Sequence, residues 1–140
     1  MLAKKFTRET ISNLGVTPRN FPAFQVGDTI AVSQRIVEGD KARLQIFEGD
    51  VIAIRNGGIS STFTVRRIGA NSISVERVFP YYSPKIESLK FIRCGKVRRA
   101  KLFYMRNRVG KAARVKERVV TREQREQRAL ASQQVNDSAK

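Results

Sequence analysis

The chain has 140 residues, a formal net charge of +16, no histidine and a single cysteine, Cys94. One cysteine excludes an intramolecular disulfide, and the absence of histidine removes the commonest general base and metal ligand. No run approaches the roughly 20 consecutive apolar residues of a transmembrane helix. The composition therefore argues against an enzyme, a metalloprotein and a membrane-spanning protein, and we expect no cofactor.

Positive charge is concentrated in one part of the chain. Residues 1–92 hold 13 basic and 8 acidic residues, residues 93–118 hold 11 and 1, and residues 119–140 hold 4 and 3. Charge of one sign at this density repels itself unless a polyanion neutralises it. The pattern favours nucleic acid as the partner, with an anionic membrane surface as the alternative.

Residues 1–21 are predicted to form an N-terminal segment that is partly helical. Four apolar residues have the spacing of a loosely amphipathic helix, namely Leu2, Phe6, Ile11 and Leu14. An organellar transit peptide is the alternative, because basic and hydroxyl residues also occur here, although Glu9 and the short length oppose it.

Residues 22–94 are predicted to form the folded core as a small β-barrel. Apolar and polar residues alternate with period two, β-branched residues are frequent, and turn residues interrupt the runs. The predicted strands cover residues 29–37, 43–55, 59–68, 72–79 and 86–92. Five short strands at hairpin spacing, with no long helix between them, predict an antiparallel sheet that curls into a barrel.

The glycines of this region lead to two predictions, a bulge and a turn. Gly49 is expected to mark a β-bulge, because the apolar residues on its two sides do not keep one alternation phase. The sequence Asn56-Gly57-Gly58 is expected to form a tight hairpin turn. A phosphate-cradling glycine loop is the alternative there, but no GK[ST] motif and no helix pattern follow it.

Carboxylates within the predicted barrel are the only candidates for catalysis. The five that were weighed as a possible pair lie in the first half of the barrel, and they are Asp28, Glu38, Asp40, Glu48 and Asp50. Because they flank glycines, where turn and bulge residues are common, we interpret them as structural and assign no catalytic residue.

Residues 95–118, named here the extension, read GKVRRAKLFYMRNRVGKAARVKER. Small residues between the charges allow the backbone to approach a phosphate surface closely. The predicted RNA-binding residues of the extension are Lys96, Arg98, Arg99, Lys101, Arg106, Arg108, Lys111, Arg114, Lys116 and Arg118. We expect the part beyond Arg106 to become ordered only on RNA, because it carries little apolar surface.

The middle of the extension contains a run of four apolar residues, Leu102, Phe103, Tyr104 and Met105. We predict that this run anchors the extension to protein, with base stacking by Phe103 or Tyr104 as the alternative. Residues 119–140 are predicted to form a polar C-terminal tail, which is either an exposed helix or disordered.

Five motifs in the chain resemble one known family. They are PAFQVGDTIAV, IVEGDKARLQIFEGDVIAI, GGISSTFTVRRI, VERVFPYYSPKIES and the extension itself, and together they cover residues 22–118 almost continuously. In these motifs the chain resembles the bacterial-type large-subunit ribosomal protein nineteen. The resemblance implies an SH3-like barrel, binding to large-subunit rRNA and a contribution to an intersubunit bridge.

By position, the resemblance implies two basic clusters that bind rRNA and a further basic pair directly after the FTV residues of the third strand. The first cluster is Lys96, Arg98, Arg99 and Lys101, the second is Lys111, Arg114 and Lys116, and the pair is Arg66 and Arg67. Cys94 departs from the family, which usually has a basic residue at this position. Residues 1–21 and 119–140 match no family pattern.

The sequence therefore predicts a structural constituent of the large ribosomal subunit with no catalytic role. Its predicted partners are large-subunit rRNA, neighbouring large-subunit ribosomal proteins and small-subunit rRNA at the subunit interface, with no membrane partner. We expect it in the cytoplasm, in the ribosome, with an organellar ribosome as the alternative. The rival function is a free-standing RNA-binding translation or transcription factor with a similar barrel.

Overall fold

The computed structural model of the chain describes residues 16–39 and 41–121. The predicted N-terminal helix and most of the predicted C-terminal tail lie outside these ranges. The five strands are β1 (Thr29–Glu38), β2 (Lys41–Arg55), β3 (Thr62–Ile68), β4 (Ser74–Pro80) and β5 (Ile86–Arg93). The three short 3₁₀ helices are η1 (Ala70–Ser72), η2 (Phe103–Asn107) and η3 (Gly110–Ala113). None of the helices in the two described ranges combines the length and apolarity that crossing a membrane requires.

The five strands form one antiparallel sheet in the order β4-β3-β2-β1-β5. The long strand β2 pairs with two strands along its length. Residues 41–50 pair with β1, and residues 50–55 pair with β3. Strand β5 pairs with β1, not with β4, which precedes it in the chain. The prediction of a mainly β fold with five antiparallel strands is confirmed.

The connection between β2 and β3 is longer than the sequence predicted. Strand β3 begins at Thr62, so residues 56–61 form a six-residue loop instead of a tight hairpin turn. Gly58 adopts a left-handed conformation with φ of 58°. The Ser61 amide donates a hydrogen bond to the Gly58 carbonyl at 3.0 Å, which closes the loop locally. Gly58 thus takes the positive φ that the sequence predicted for a turn, but the loop is longer than the two residues of a tight hairpin.

Gly49 does not mark a bulge, which corrects the sequence prediction. Pairing between β1 and β2 runs through Gly49 without a shift, and the irregularity lies between Val51 and Ala53, in the pairing with β3. Gly49 is required for a different reason. A Cβ atom at Gly49 would collide with the carbonyl group of Arg66 on the adjacent strand.

The main core lies on one face of the sheet and takes residues from all five strands. Its members are Ile30, Val32, Phe47, Val51, Phe63, Val65, Phe79, Ile86 and Leu89. The rings of Phe63 and Phe79 stack with centroids 5.5 Å apart, which joins β3 to β4. Alternation along β2 places Leu44 and Ile46 on the opposite face from Phe47, where they are 55% and 63% exposed.

A second, smaller cluster of buried residues joins the sheet to the extension. It consists of Ile52, Leu102 and Met105. Ile52 lies at the register shift of β2, next to Val51 of the main core, and belongs to the second cluster instead. Both clusters are therefore built on β2, and the extension packs against this strand.

Candidate nucleic-acid interface

The extension is a loop that returns to its starting point. Its two ends pair as a short antiparallel bridge between Gly95 and Glu117. The Lys96 amide donates to the Lys116 carbonyl, and the Arg118 amide donates to the Cys94 carbonyl, each at 2.8 Å. The bridge holds both ends of the loop together, so the cationic residues between them are presented by a closed loop.

The buried carboxylate of Asp28 holds the start of the extension. Asp28 is 1% exposed, and its two oxygens accept backbone amide hydrogen bonds from Gly95 at 3.2 Å and from Gln25 at 2.9 Å. Gly95 also passes so close to the turn before β1 that a Cβ atom there would collide with the Gly27 carbonyl oxygen. The entry to the extension therefore requires both a buried acceptor and a glycine.

The middle of the extension is anchored by two of the four residues in its apolar run. Leu102 is fully buried and Met105 is 3% exposed, and the Leu102 amide donates to the Ile52 carbonyl at 2.8 Å. Phe103 is 43% exposed and Tyr104 is partly buried. The 3₁₀ geometry of η2 explains the difference, since residues three apart lie on the same side of such a helix.

The second half of the extension has internal anchors that sequence reasoning missed. Ala113 is buried, and Val115 packs against the second cluster. Both lie beyond Arg106, in the part of the chain that we expected to become ordered only on RNA. Their apolar contacts are made to the protein itself, so burial of apolar surface contributes to the position of this half of the loop.

Glu76 on β4 links the sheet to the extension by ion pairs. Its two oxygens accept hydrogen bonds from Arg106, at 3.1 and 3.0 Å from Nε and at 2.8 Å from Nη2. The hydrogen bonds and the charge of Glu76 raise the pKa of Arg106 above its ordinary value. Glu76 also lies 3.5 Å from Nη1 of Arg66, which is 5% exposed. The Glu76 carboxylate therefore forms ion pairs with both the buried Arg66 and Arg106 of the extension.

The ten cationic residues that the sequence assigned to RNA within the extension all lie on the surface, as does Arg67. Arg66 is different, because its side chain is buried beside Glu76 and its Nε atom is shielded from solvent. The contact of Arg66 with RNA stays a prediction, and the burial of its guanidinium argues against it. Within the described ranges, Arg106 is the one cation of the extension that forms an ion pair.

Six residues of the extension enclose a cleft of about 540 Å³ together with Val97. We name it the basic cleft, and its six residues are Lys96, Arg98, Arg99, Tyr104, Arg108 and Lys116. The guanidinium carbons of Arg99 and Arg108 lie over the Tyr104 ring, 5.2 and 4.7 Å from its centroid. Among the described residues, five cations and no carboxylate line the cleft, so an anion suits it.

Asp28 and Glu76 are the structural residues that sequence analysis did not connect to this surface. Asp28 follows a glycine, which led us to interpret it as an ordinary turn residue. Glu76 faces Arg66 across the β3–β4 pair, and a cross-strand pair of opposite charge is a signal that the sequence does contain. Its contact with Arg106 spans 30 residues and has no local signature.

We expect the substitution Glu76→Gln to lower the free energy of unfolding by about 1 to 2 kcal/mol, because the buried Arg66 guanidinium loses its anionic partner. Chemical denaturation monitored by circular dichroism measures this change. Glu38→Gln is the matched control, since Glu38 pairs with Arg43 where both side chains are exposed, and it should leave stability nearly unchanged. Equal effects of the two substitutions would contradict the structural role of Glu76.

No group of three or more histidine, cysteine, aspartate or glutamate side chains arranged to hold a metal ion occurs within the described ranges.

The fold and the surface define a small, strongly basic β-sheet protein with a docked cationic loop. The ribosomal protein L19 family matches residues 4–118 of the chain, so the match includes most of the N-terminal segment, in which the sequence analysis found no family pattern. The chain therefore belongs to the ribosomal protein L19 family.

Relatives with curated descriptions agree with this assignment. The chain is 50% identical to the large ribosomal subunit protein bL19 of Wolinella succinogenes over 109 residues, which cover 78% of this chain and 92% of the relative. It is 58% identical to bL19 of Campylobacter jejuni strain RM1221 over 99 residues, with 71% and 84% covered. It is 52% identical to bL19 of Campylobacter concisus over 109 residues, with 78% and 92% covered. The resemblance stated from the five motifs is thus confirmed.

Proposed function

We propose that the protein is a structural constituent of the large ribosomal subunit that binds large-subunit rRNA through its extension. One observation carries the RNA-binding part of this proposal. The extension is held in place by apolar contacts and main-chain hydrogen bonds, and ten of its cations lie on the surface. Within the described ranges nine of these ten cations form no ion pair, since only Arg106 pairs with a carboxylate, so RNA phosphates are their natural counter-charges.

We also infer that the sheet curls into an SH3-like barrel over residues 22–94, between an N-terminal segment (residues 1–21) and the extension, with a C-terminal tail beyond residue 118. The single main core supports this inference, because all five strands contribute to it. The partner exchange along β2 supports it too, since one strand that pairs with β1 and then with β3 spans both parts of a strongly curved sheet.

Neighbouring ribosomal proteins are further partners in this proposal. The hairpin of β1 and β2 presents Val37, Leu44 and Ile46, which are 68%, 55% and 63% exposed, and this apolar surface suits a protein contact. A contact with small-subunit rRNA at the subunit interface is proposed from the family resemblance alone. The bacterial relatives favour a cytoplasmic ribosome as the site of action.

Replacing both Arg98 and Arg99 with alanine tests the RNA-binding part of the proposal. If each side chain neutralises one phosphate, the plot of log affinity against log salt concentration becomes shallower by about 1.5 units. Filter binding of the full chain to large-subunit rRNA over a range of salt concentrations measures this slope.

The matched control replaces Lys41 and Arg43, two exposed cations of the β1–β2 hairpin. It removes the same charge far from the extension in sequence, and we expect it to change the slope less than the Arg98 and Arg99 pair does. Equal changes would mean that net charge governs binding, and an unchanged slope in the Arg98 and Arg99 variant would place both side chains away from RNA.

A further inference from the structure

We propose that the basic cleft holds the sugar–phosphate backbone of a single RNA strand, and that Tyr104 is the positioning residue that orients Arg99 and Arg108 toward its phosphates. The inference deepens the proposed function and rests on it. It names the part of the RNA that the extension recognises and separates the role of the aromatic ring from that of the charges.

Phosphate, and not a base, is the ligand that the lining of the basic cleft favours. A base that stacked on Tyr104 would need a free face of its ring. Tyr104 is the one aromatic residue among the described residues that line the cleft, and its ring lies under two guanidinium groups. A guanidinium that lies over a ring keeps N–H groups free at its rim, and its planar fork matches the geometry of phosphate oxygens. The ring therefore fixes the two arginines, and the arginines contact the ligand.

Phe103, the aromatic residue next to Tyr104, also lies under an arginine, but that arginine already has an anionic partner. Arg106 lies over the Phe103 ring with its guanidinium carbon 4.5 Å from the centroid, and its N–H groups donate to Glu76. An arginine of this same extension that lies over an aromatic ring thus binds a carboxylate of β4. Arg99 and Arg108 have no such carboxylate in the cleft lining, so the equivalent position is open to a phosphate of RNA.

The dimensions of the basic cleft favour one strand over a duplex. Its volume of about 540 Å³ is within the range of small-molecule sites, which admits a nucleotide or two. Its cations come from both ends of the closed loop, since Lys96 and Lys116 are joined by a main-chain hydrogen bond at the bridge. A strand that lies in the cleft therefore meets cations from both ends of the loop, as in sites that follow a single-stranded backbone.

The test compares Tyr104→Phe, Tyr104→Leu and the double variant Arg99→Lys with Arg108→Lys in the full chain. Binding to large-subunit rRNA and to a 12-nucleotide single-stranded oligouridine is measured over a range of salt concentrations. Tyr104→Phe keeps the aromatic face and should bind like the natural chain. Tyr104→Leu keeps apolar volume but loses two cation–π contacts, so we expect binding about fivefold to thirtyfold weaker with an unchanged salt slope.

The double lysine variant keeps the fold and the charge but loses the planar groups that stack on the ring, so it should also weaken binding without changing the salt slope. Combining Tyr104→Leu with this variant should add little further loss, because both changes remove the same interaction. A fully additive loss would show that Tyr104 contacts RNA directly, which overturns its positioning role. Natural affinity in both Tyr104→Leu and the double lysine variant would overturn it as well.

A 12-base-pair RNA duplex is the competitor that tests the single-strand part of the inference. We expect it to displace oligouridine from the natural chain at least tenfold less well than unlabelled oligouridine does. Equal displacement would overturn the preference for a single strand. Failure of the natural chain to bind rRNA at all would instead overturn the proposed function, so the two failures are distinguishable.

Discussion

A chain that ends at Arg93 should keep its five-stranded sheet and lose at least a thousandfold in affinity for large-subunit rRNA at physiological salt. The truncation removes 14 basic and 4 acidic residues, and it leaves every residue of the main core in place. Because electrostatic contacts to phosphates supply most of the binding free energy, their removal should dominate the result. Filter binding gives the affinity, and circular dichroism reports the strands.

The truncated chain should also be less stable than the full chain, because Ile52 loses the side chains that cover it. Exposure of a buried isoleucine costs about 1.5 to 3 kcal/mol. A chain that ends at Arg118 is the matched control, and it should retain nearly full affinity because it keeps the whole extension. Near-natural affinity in the chain that ends at Arg93 would mean that the sheet, and not the extension, is the main RNA surface.

The substitution Leu102→Ala should destabilise the full chain by about 2 to 5 kcal/mol. Leu102 is fully buried in the second cluster, and truncation of a buried leucine removes its packing and leaves a cavity. Equilibrium denaturation in urea measures the loss. Affinity for rRNA should fall less than in the truncated chain, because every cation of the extension remains.

Val109→Ala is the matched control for Leu102→Ala within the same extension. Val109 is 72% exposed, so its truncation should change the free energy of unfolding by less than about 0.5 kcal/mol. If both variants lost equally little stability, the extension would not be docked on β2. The comparison therefore separates the buried anchor from the hydrophobicity of the segment as a whole.

The strands could be predicted from the sequence because alternation is a local pattern. Ile30 and Val32 on β1 and Phe63 and Val65 on β3 follow period two and lie in the main core. Alternation alone does not say which face is buried. On β2 it marks Leu44 and Ile46 as one face, and the structure places that face toward solvent because Phe47 fills the core from the other side.

The docking of the extension could be predicted only in outline. An apolar run between charged residues indicates an anchor, but four consecutive apolar residues carry no period that selects Leu102 and Met105 over Phe103. That choice depends on the 3₁₀ geometry of η2. The closure of the loop depends on hydrogen bonds between residues 20 or more positions apart, such as Cys94 with Arg118. Such contacts leave no local pattern in a sequence.

The burial of Arg66 could not be predicted from the sequence, because it also depends on a contact between distant residues. Strand alternation predicts that a charged residue beside Val65 faces away from the main core, and this holds for Arg66. Glu76 pairs with Arg66 on that face and also binds Arg106 of the extension. Arg66 is thus buried at a place where its partner Glu76 also binds the extension.

Co-sedimentation of the full chain with ribosomal subunits tests the central proposal most directly. A tagged chain expressed in a bacterial relative is followed through sucrose gradients before and after a high-salt wash that removes loosely bound factors. We predict that the chain stays with the large subunit through the wash, in an amount close to one copy per subunit. A chain that the wash removes would be a free-standing RNA-binding factor, and a chain that pellets with lipid would be a membrane-surface protein, and either result would contradict the proposal.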